Sequence, residues 1–150
     1  MSFVLRHLRA EDNLDEAGRL FDAYRQFYKY PADLSSAHAY LAMRIKSGQA
    51  TAYLAEVEGQ AVGFMMLYPT FCSLALAPIW TLNDLYVCPS HRGRGIAQAL
   101  LEQAKRLGQE SGAAYLQLST AHDNHTAQRV YEAHGWVQDT VYRYYTLALG

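Results

Sequence analysis

The sequence predicts an α+β fold in which helices cover both faces of a mixed sheet. Two short apolar runs bounded by prolines and small polar residues, "AVGFMMLY" and "CSLALA", occupy the middle of the chain, as buried strands do. Toward both ends apolar residues recur at helical spacing instead. The chain has 150 residues, of which 51% are hydrophobic, and this predicts one domain over residues 1–150 with a single core.

The first third of the chain reads as one strand and two helices. Residues 3–9 alternate as a strand does. A helix that ends near Tyr30 and Pro31 follows; its apolar face consists of Leu14, Ala17, Phe21, Tyr24 and Tyr28. The second helix is capped by Asp33 or Ser35 and stopped by Gly48. Its apolar face consists of Leu34, Ala37, Leu41 and Ile45.

The remaining elements alternate between strands and helices. Residues 50–57 and 61–68 flank Glu58 and Gly59, which predicts a hairpin. We expect a third central strand near residues 72–77 and a fourth at 80–87. A helix opens after Gly95 and closes near Gly112. Residues 114–120 predict a strand, residues 124–134 a short helix ended by Gly135, and residues 136–149 one or two closing strands.

Composition excludes several functional classes. Thirteen basic and fourteen acidic side chains leave a net charge of -1, so there is no general field for nucleic acid. Two cysteines fit neither a disulfide framework nor a zinc pattern. Residues 59–83 carry no charge, but Pro69 and Pro78 interrupt them, which argues against a membrane helix. The N-terminal residues lack a secretory apolar core, so we expect a cytoplasmic protein.

The segment Arg92-Gly93-Arg94-Gly95 stands at the entrance of a helix. The first amides of a helix have no internal partner and carry partial positive charge, so they attract phosphate. Glycines let an anion approach the main chain, and the two arginines add charged donors. A tight turn with solvated arginines explains the same residues, and this segment alone leaves both interpretations open. Gln98 rules out the dinucleotide fingerprint, and no GK[ST] ending follows.

The spacing Arg92-x-x-Gly95-x-Ala97 resembles motif A, [QR]-x-x-G-x-[GA], of the GCN5-related N-acetyltransferases (GNAT). "WTLNDLYVCP" is similar to the fourth strand of that family and "LQLSTAHDNHTAQRVYEAHGW" to its motif B, so the resemblance covers nearly the whole chain. It is closest to the branch that includes the yeast Hpa2 histone and polyamine acetyltransferase. The resemblance implies a mostly antiparallel sheet of six to seven strands with a splayed fourth and fifth pair, and acetyl-coenzyme A as co-substrate.

The same resemblance assigns residues to the coenzyme. The pyrophosphate would be held by Arg92, Gly93, Arg94, Gly95, Ile96 and Ala97. Main-chain groups of Leu85, Tyr86 and Val87 would meet the pantetheine arm, with the Val87 N–H as oxyanion donor. The family's pattern N-x-x-A-x-x-x-[YF]-x-x-x-G-[FW] is matched by Asn124, Ala127, Tyr131, Gly135 and Trp136. By this resemblance, Asn124 and Ala127 would contact the coenzyme and Tyr131 would be the general acid. Each of these residues also has a possible structural role. Tyr131 could pack in the core, Asn124 could cap the helix that follows it, and Leu85 and Val87 could simply pair within the sheet.

Asp84 is the candidate general base, because a protonated amine needs a carboxylate that attracts it and takes its proton. Strand alternation predicts Leu82, Asp84 and Tyr86 on one face and Asn83, Leu85 and Val87 on the other. A structural role, in an ion pair with an arginine or as a turn cap, is equally consistent with the sequence. Asp22, Glu56 and Glu58 are alternative carboxylates without a supporting motif.

Other features leave alternatives open. His122, Asp123 and His125 lack a third ligand at recognisable spacing for a metal, and we expect none. The aromatic run "FDAYRQFYKY" either lines an acceptor pocket or forms a core face. The apolar ending "VYRYYTLAL" suits a homodimer or an intramolecular strand.

The sequence therefore predicts an N-acetyltransferase that acts on a primary amine by direct attack in a ternary complex. The acceptor would be a polyamine, an aminoglycoside, a lysine or another small or peptide amine. A non-catalytic coenzyme A sensor or an interaction module on the same fold is the alternative.

Overall fold

A computed structural model describes residues 2–150, with five strands and four helices among them. In chain order they are β1 (Val4–His7), α1 (Asp15–Phe27), α2 (Leu34–Lys46), β2 (Thr51–Val57), β3 (Gln60–Cys72), β4 (Ala77–Val87), α3 (Ile96–Glu110), β5 (Leu116–Gln117) and α4 (His125–Ala133). The sheet order is β1-β2-β3-β4-β5. Neighbours are antiparallel except for the parallel pair β4 and β5, which confirms the α+β class.

The predicted strand count of six to seven is wrong, because two segments differ from expectation. Residues 73–76 form the turn between β3 and β4, where a third central strand was predicted. Leu76 has a left-handed φ of 54° there, and its amide donates to the Ser73 carbonyl at 3.2 Å. Pro69 and Pro78 belong to the part of this long hairpin that extends beyond the pairing with β2, so neither proline removes a bond of a central ladder.

Residues 137–150 form no strand, although closing strands were predicted there. Strand propensity reflects packing against neighbours, and the large apolar side chains of this segment are mostly exposed. Seven of them are exposed: Val137, Val141, Tyr142, Tyr144, Tyr145, Leu147 and Leu149.

Helices α1 and α2 cover one face of the sheet. Their buried residues, among them Leu20, Phe21 and Leu41, pack with Phe64 and Met66 of β3 in one core. The predicted cap of α2 is confirmed, since the Asp33 side chain accepts from the Ser36 amide at 3.1 Å.

Helix α3 covers the opposite face. A Cβ on Gly63 of β3 would lie 3.1 Å from Cγ2 of Ile96 and 3.2 Å from Cβ of Ala55. A glycine is therefore needed where the first turn of α3 meets the sheet.

The chain divides into two compact units, Met1–Ser119 and Thr120–Gly150. The first holds the sheet with α1, α2 and α3, and the second holds α4. Among residues 2–150, no helix has the length and apolar character that crossing a bilayer requires.

Candidate active site

Strand β4 contains a β-bulge at Asn83. Asp84 pairs with Met66 of β3, whereas Leu82 pairs with Leu67, so Asn83 is the extra residue. Cross-strand partners share a face, and Met66 belongs to the core under α1 and α2. Asp84 therefore lies on the face covered by α1 and α2, as does Tyr86, which pairs with Phe64.

The predicted alternation is accordingly wrong for Leu82. The bulge changes the phase of the strand, so Leu82 shares the opposite face with Leu85 and Val87. The partner of Val87 is Gly63, which contacts α3, so these three residues face α3. Beyond Asn83 the predicted grouping of Asp84 with Tyr86, and of Leu85 with Val87, agrees with the register.

Asp84 is a buried carboxylate whose partners are neutral. Its side chain is among the few buried polar groups, with 5% of the residue exposed. The Asn83 amide group donates to both carboxylate oxygens, at 3.2 and 3.3 Å. Burial raises the pKa of Asp84 to about 6, and hydrogen bonds from Asn83 and Tyr24 oppose part of that rise. None of the ion pairs within residues 2–150 includes Asp84.

Tyr24 of α1 and Tyr68 of β3 interact with this carboxylate, and Tyr40 of α2 bonds to Tyr68. Tyr24 donates to the main-chain carbonyl of Asn83 at 3.2 Å, in addition to its bond with Asp84. The hydroxyls of Tyr40 and Tyr68 lie 2.8 Å apart. Burial, this hydrogen bond and the charge of Asp84 raise the pKa of Tyr68, so its phenol stays protonated at neutral pH.

The alternative carboxylates have structural partners or lie in a turn. Glu56 accepts two bonds from Arg6, at 3.1 and 3.2 Å. Asp22 is buried in α1, where it accepts from the Asp33 amide at 2.9 Å and joins the two helices. Glu58 occupies the confirmed hairpin turn with a φ of 51°. Asp84 therefore stays the candidate base, with a buried carboxylate whose pKa is raised to about 6.

The end of β4 has an open side. Pairing with β5 covers only Trp80 and Thr81, so residues 82–87 have no β5 partner, as the predicted splay requires. The Cys88 amide donates to the Val62 carbonyl at 2.8 Å, which makes Val87 and Gly63 a pair that exchanges no bonds. The N–H and C=O of Val87 consequently point away from β3, toward this open side.

The loop between β4 and α3 has the backbone that its glycines predict. Gly93 and Gly95 have left-handed φ values of 75° and 85°, and a Cβ on either would meet no atom within 4 Å. The first helical bond of α3 runs from Ala99 to the Gly95 carbonyl, and the first turn holds no acidic residue. The amides of residues 96–98 thus form an open helix N-terminus.

Arg92 has a more specific environment than a solvated arginine. Its Nε donates to the Val87 carbonyl at 2.9 Å, and its guanidinium lies over the rings of Phe27 and Tyr86. The structure thus brings Arg92, Val87, Tyr86 and Asp84 together at the end of β4.

In the second unit, the N-cap of α4 is Asn124, whose side chain accepts from the Ala127 amide at 3.3 Å. This is the structural role expected for an asparagine there. Tyr131 is half-buried, and its ring lies 6.3 Å from that of Trp136. No three metal-ligating side chains cluster anywhere in residues 2–150.

Sequence reasoning named Tyr24 and Phe27 only as members of the aromatic run at residues 21–30, and Asn83 only by its face of β4. Tyr24 was visible as one of several tyrosines at helical spacing, but nothing local indicated which of them faces Asp84. Asn83 matters through the bulge, which follows from pairing with β3 and leaves no periodic signal in β4.

Comparisons with known proteins agree with this architecture. The family model of the acetyltransferase (GNAT) family matches residues 17–136. The uncharacterized N-acetyltransferase YhfO of Bacillus subtilis is 40% identical over 128 residues, which cover 85% of this chain and 86% of the relative.

Two solved structures resemble the chain along its length. The crystal structure of a probable acetyltransferase has 34% identity and a TM-score of 0.90, with 98% of this chain and 99% of the other covered. AAC(6')-Iy, solved with the bisubstrate analog CoA-S-monomethyl-acetylneamine, has 21% identity and a TM-score of 0.80, with 99% of this chain and 100% of the other covered. The latter likeness shows the fold alone. The narrower resemblance to the Hpa2 branch stays a prediction. The chain belongs to the acetyltransferase (GNAT) family, which confirms the predicted acyltransferase class.

Proposed function

We propose that the protein transfers an acetyl group from acetyl-coenzyme A to a primary amine by direct attack in a ternary complex. One observation carries the proposal. The left-handed loop at Gly93 and Gly95 opens into the N-terminus of α3 beside the end of β4, where Val87 turns its amide to the open side. The space beside both glycines is open, since a Cβ at either would meet no atom within 4 Å, and this leaves room for a diphosphate to approach the main chain.

Each part of the site has a role in this reaction. The thioester supplies an activated acyl group. The loop and the N-terminus of α3 bind the diphosphate with main-chain amides, helped by Arg92 and Arg94. The Val87 amide donates to the acyl carbonyl oxygen, on which negative charge develops during attack. Leu85 and Tyr86 supply further main-chain groups for the pantetheine arm.

Asp84 serves as the general base. At neutral pH a carboxyl with a pKa of about 6 is mostly ionised, so it attracts a protonated amine and then accepts its proton. Because no arginine or lysine forms an ion pair with it within residues 2–150, its charge is available to a cationic acceptor. This favours polyamines, aminoglycosides and lysine side chains over neutral acceptors, and it favours an enzyme over a coenzyme A sensor, which needs no buried base.

Tyr131 serves as the general acid that protonates the departing thiolate, and Asn124 and Ala127 contact the coenzyme. These roles come from the motif around α4, and the Trp136 ring supports the Tyr131 ring. We also propose that residues 1–150 act as one acetyltransferase domain.

The test is a panel of amines with detection of released coenzyme A thiol. We expect turnover with at least one cationic amine and saturation by both substrates. Binding of acetyl-coenzyme A without turnover on any polyamine, aminoglycoside or lysine peptide would favour the sensor. No binding of acetyl-coenzyme A at all would exclude both.

We also propose that the protein forms a homodimer through residues 137–150. Seven large apolar side chains exposed within fourteen residues exceed what monomers usually show, and their sequence suits pairing with a second strand.

A further inference from the structure

Arg92 connects the loop before α3 to the end of α1. Its Cζ lies 5.5 Å from the ring centre of Phe27 and 5.6 Å from that of Tyr86, while its Nε is held by the Val87 carbonyl. The rings of Phe27 and Tyr86 are 6.4 Å apart. A single guanidinium therefore joins the last residue of α1 to the end of β4.

Burial explains little of the position of Phe27. Its side chain is 52% exposed, so the hydrophobic effect holds it weakly, and the guanidinium is a specific partner for its ring. The positive charge of Arg92 also lies at the C-terminal end of a helix, where the peptide dipoles favour a cation. The contact between Arg92 and Phe27 therefore adds a specific constraint to the end of α1, beside the backbone bonds there and the contacts of the Phe27 ring with Tyr28 and Tyr86.

The same end of α1 carries the tyrosine that meets the buried carboxylate. Tyr24 lies about one turn before Phe27, and its hydroxyl bonds to Asn83 and Asp84. The amides of Tyr28 and Lys29 bond to carbonyls of this last turn, at 3.1 and 2.9 Å. A displacement of Phe27 therefore disturbs the turn that orients Tyr24 toward Asp84.

We propose that Arg92 is a positioning residue that couples coenzyme binding to the amine side of the site, by holding Phe27 and with it the last turn of α1 against β4. This inference rests on the proposed function, because it takes the neighbouring loop to bind a diphosphate. A guanidinium has five N–H donors, of which Nε is used by Val87. A diphosphate that binds the donors of the two Nη atoms fixes the plane of the guanidinium against both rings.

The consequence is cooperation between the two substrates. Coenzyme binding orders the last turn of α1 before the amine arrives, so the amine binds to a site whose Tyr24 side is already ordered. By linkage, a bound amine that needs the same arrangement strengthens coenzyme binding by the same factor.

Hydrogen exchange on the full chain, with coenzyme A as the ligand, tests this coupling. We expect coenzyme A to slow exchange of the Tyr28 and Lys29 amides by at least about threefold. In Phe27→Ala this protection disappears, while the dissociation constant of coenzyme A from calorimetry changes by less than about threefold, because Phe27 acts through Arg92. Phe27→Tyr keeps a ring and retains the protection.

Tyr30→Ala is the matched control. It removes another exposed ring at the end of α1, one that lies 5.1 Å from the guanidinium carbon of Arg25. The control keeps the protection. Protection that survives in Phe27→Ala, or a coenzyme A affinity that falls more than about threefold there, overturns the coupling. Wild-type protein that binds coenzyme A without a change at these amides overturns the coupling alone, whereas failure to bind coenzyme A overturns the proposed function too.

Discussion

The hydroxyl group of Tyr24 lies 3.2 Å from the main-chain carbonyl oxygen of Asn83, the extra residue of the β4 bulge. The same hydroxyl bonds to the carboxylate of Asp84, one residue later. A residue of α1 thus contacts the bulge and also opposes part of the pKa rise that burial imposes on the candidate base. This relationship makes the pH dependence of the reaction a property of two elements distant in sequence.

Asp84→Asn should raise stability and lower activity together. For a carboxyl whose pKa rises from 3.8 to about 6 on folding, stability is lost as pH rises between those values. The full cost above pH 6 is as much as about 3 kcal/mol. The variant escapes this cost, so at pH 7 we expect its Tm to be higher by about 5 °C and kcat/KM to fall about a hundredfold.

The stability gain of Asp84→Asn should vanish below about pH 4, where the wild-type carboxyl is protonated in both states. Asp123→Asn, at an exposed position, is the control and should leave the Tm unchanged within a degree or two. A lower Tm of Asp84→Asn at pH 7 would show that the ionised carboxylate stabilises the fold.

The acid limb of the pH profile should report Asp84. We expect kcat/KM to rise with pH through about 6, because only the ionised carboxylate accepts a proton. Tyr24→Phe removes a bond that favours the charged form, so its limb moves to higher pH. Tyr28→Phe, whose ring packs against Tyr24, is the control and keeps the wild-type limb. If the wild type, Tyr24→Phe and Tyr28→Phe showed the same acid limb, Tyr24 would have no influence on the pKa of the general base.

Gly95→Ala should weaken coenzyme A binding about tenfold. A Cβ there projects into the open space of the loop, and the left-handed backbone adds about 1 kcal/mol of strain. Gly48→Ala is matched to it, because Gly48 also has a left-handed φ, 73°, with no atom near an added Cβ. Calorimetry and melting curves should show equal destabilisation in both variants but weaker binding only in Gly95→Ala. If Gly95→Ala and Gly48→Ala bound coenzyme A equally well, the diphosphate would have to bind outside this loop.

Tyr131→Phe should reduce turnover ten- to a hundredfold while the affinity for coenzyme A stays within about twofold, since only a proton donor is lost. The phenylalanine keeps the ring beside Trp136. Steady-state kinetics on the amine that the panel identifies, with Tyr142→Phe as control, measure the effect. Unchanged turnover would assign Tyr131 to packing.

Sedimentation of the full chain should show a dimer at tens of micromolar, and Tyr144→Lys combined with Leu147→Lys should give a monomer. Both side chains are exposed, so the substitutions leave the fold of one chain intact. Phe71→Lys changes an exposed apolar residue at the end of β3 and should leave the dimer unchanged. A dimer that survives the double substitution uses another surface.

The sequence predicted best where one local rule decides the backbone. The hairpin at Glu58 and Gly59, the Asp33 cap and the glycine loop before α3 each depend on residues next to one another. Helix α1 ends at Phe27, three residues before the predicted end near Tyr30, because Lys29 adopts a left-handed φ of 68°.

Long-range contacts account for what the sequence did not show. The bulge at Asn83 exists only relative to β3, and the partners of Arg92 come from α1 and β4. Residues 137–150 have strand propensity but no strand, since propensity cannot supply a neighbour to pair with.

Because Asn83 interrupts the two-residue repeat, the side chains of β4 before it and after it can be directed to the two faces of the sheet independently. Leu82 can pack under α3, while Asp84, two residues later, faces α1 and α2, and the Val87 peptide groups point to the open edge of the strand. Deleting Asn83 would leave the carboxylate opposite Met66, but it would take away the amide that donates to both carboxylate oxygens and the carbonyl that Tyr24 binds, so the strand would bury the same charge with fewer donors around it.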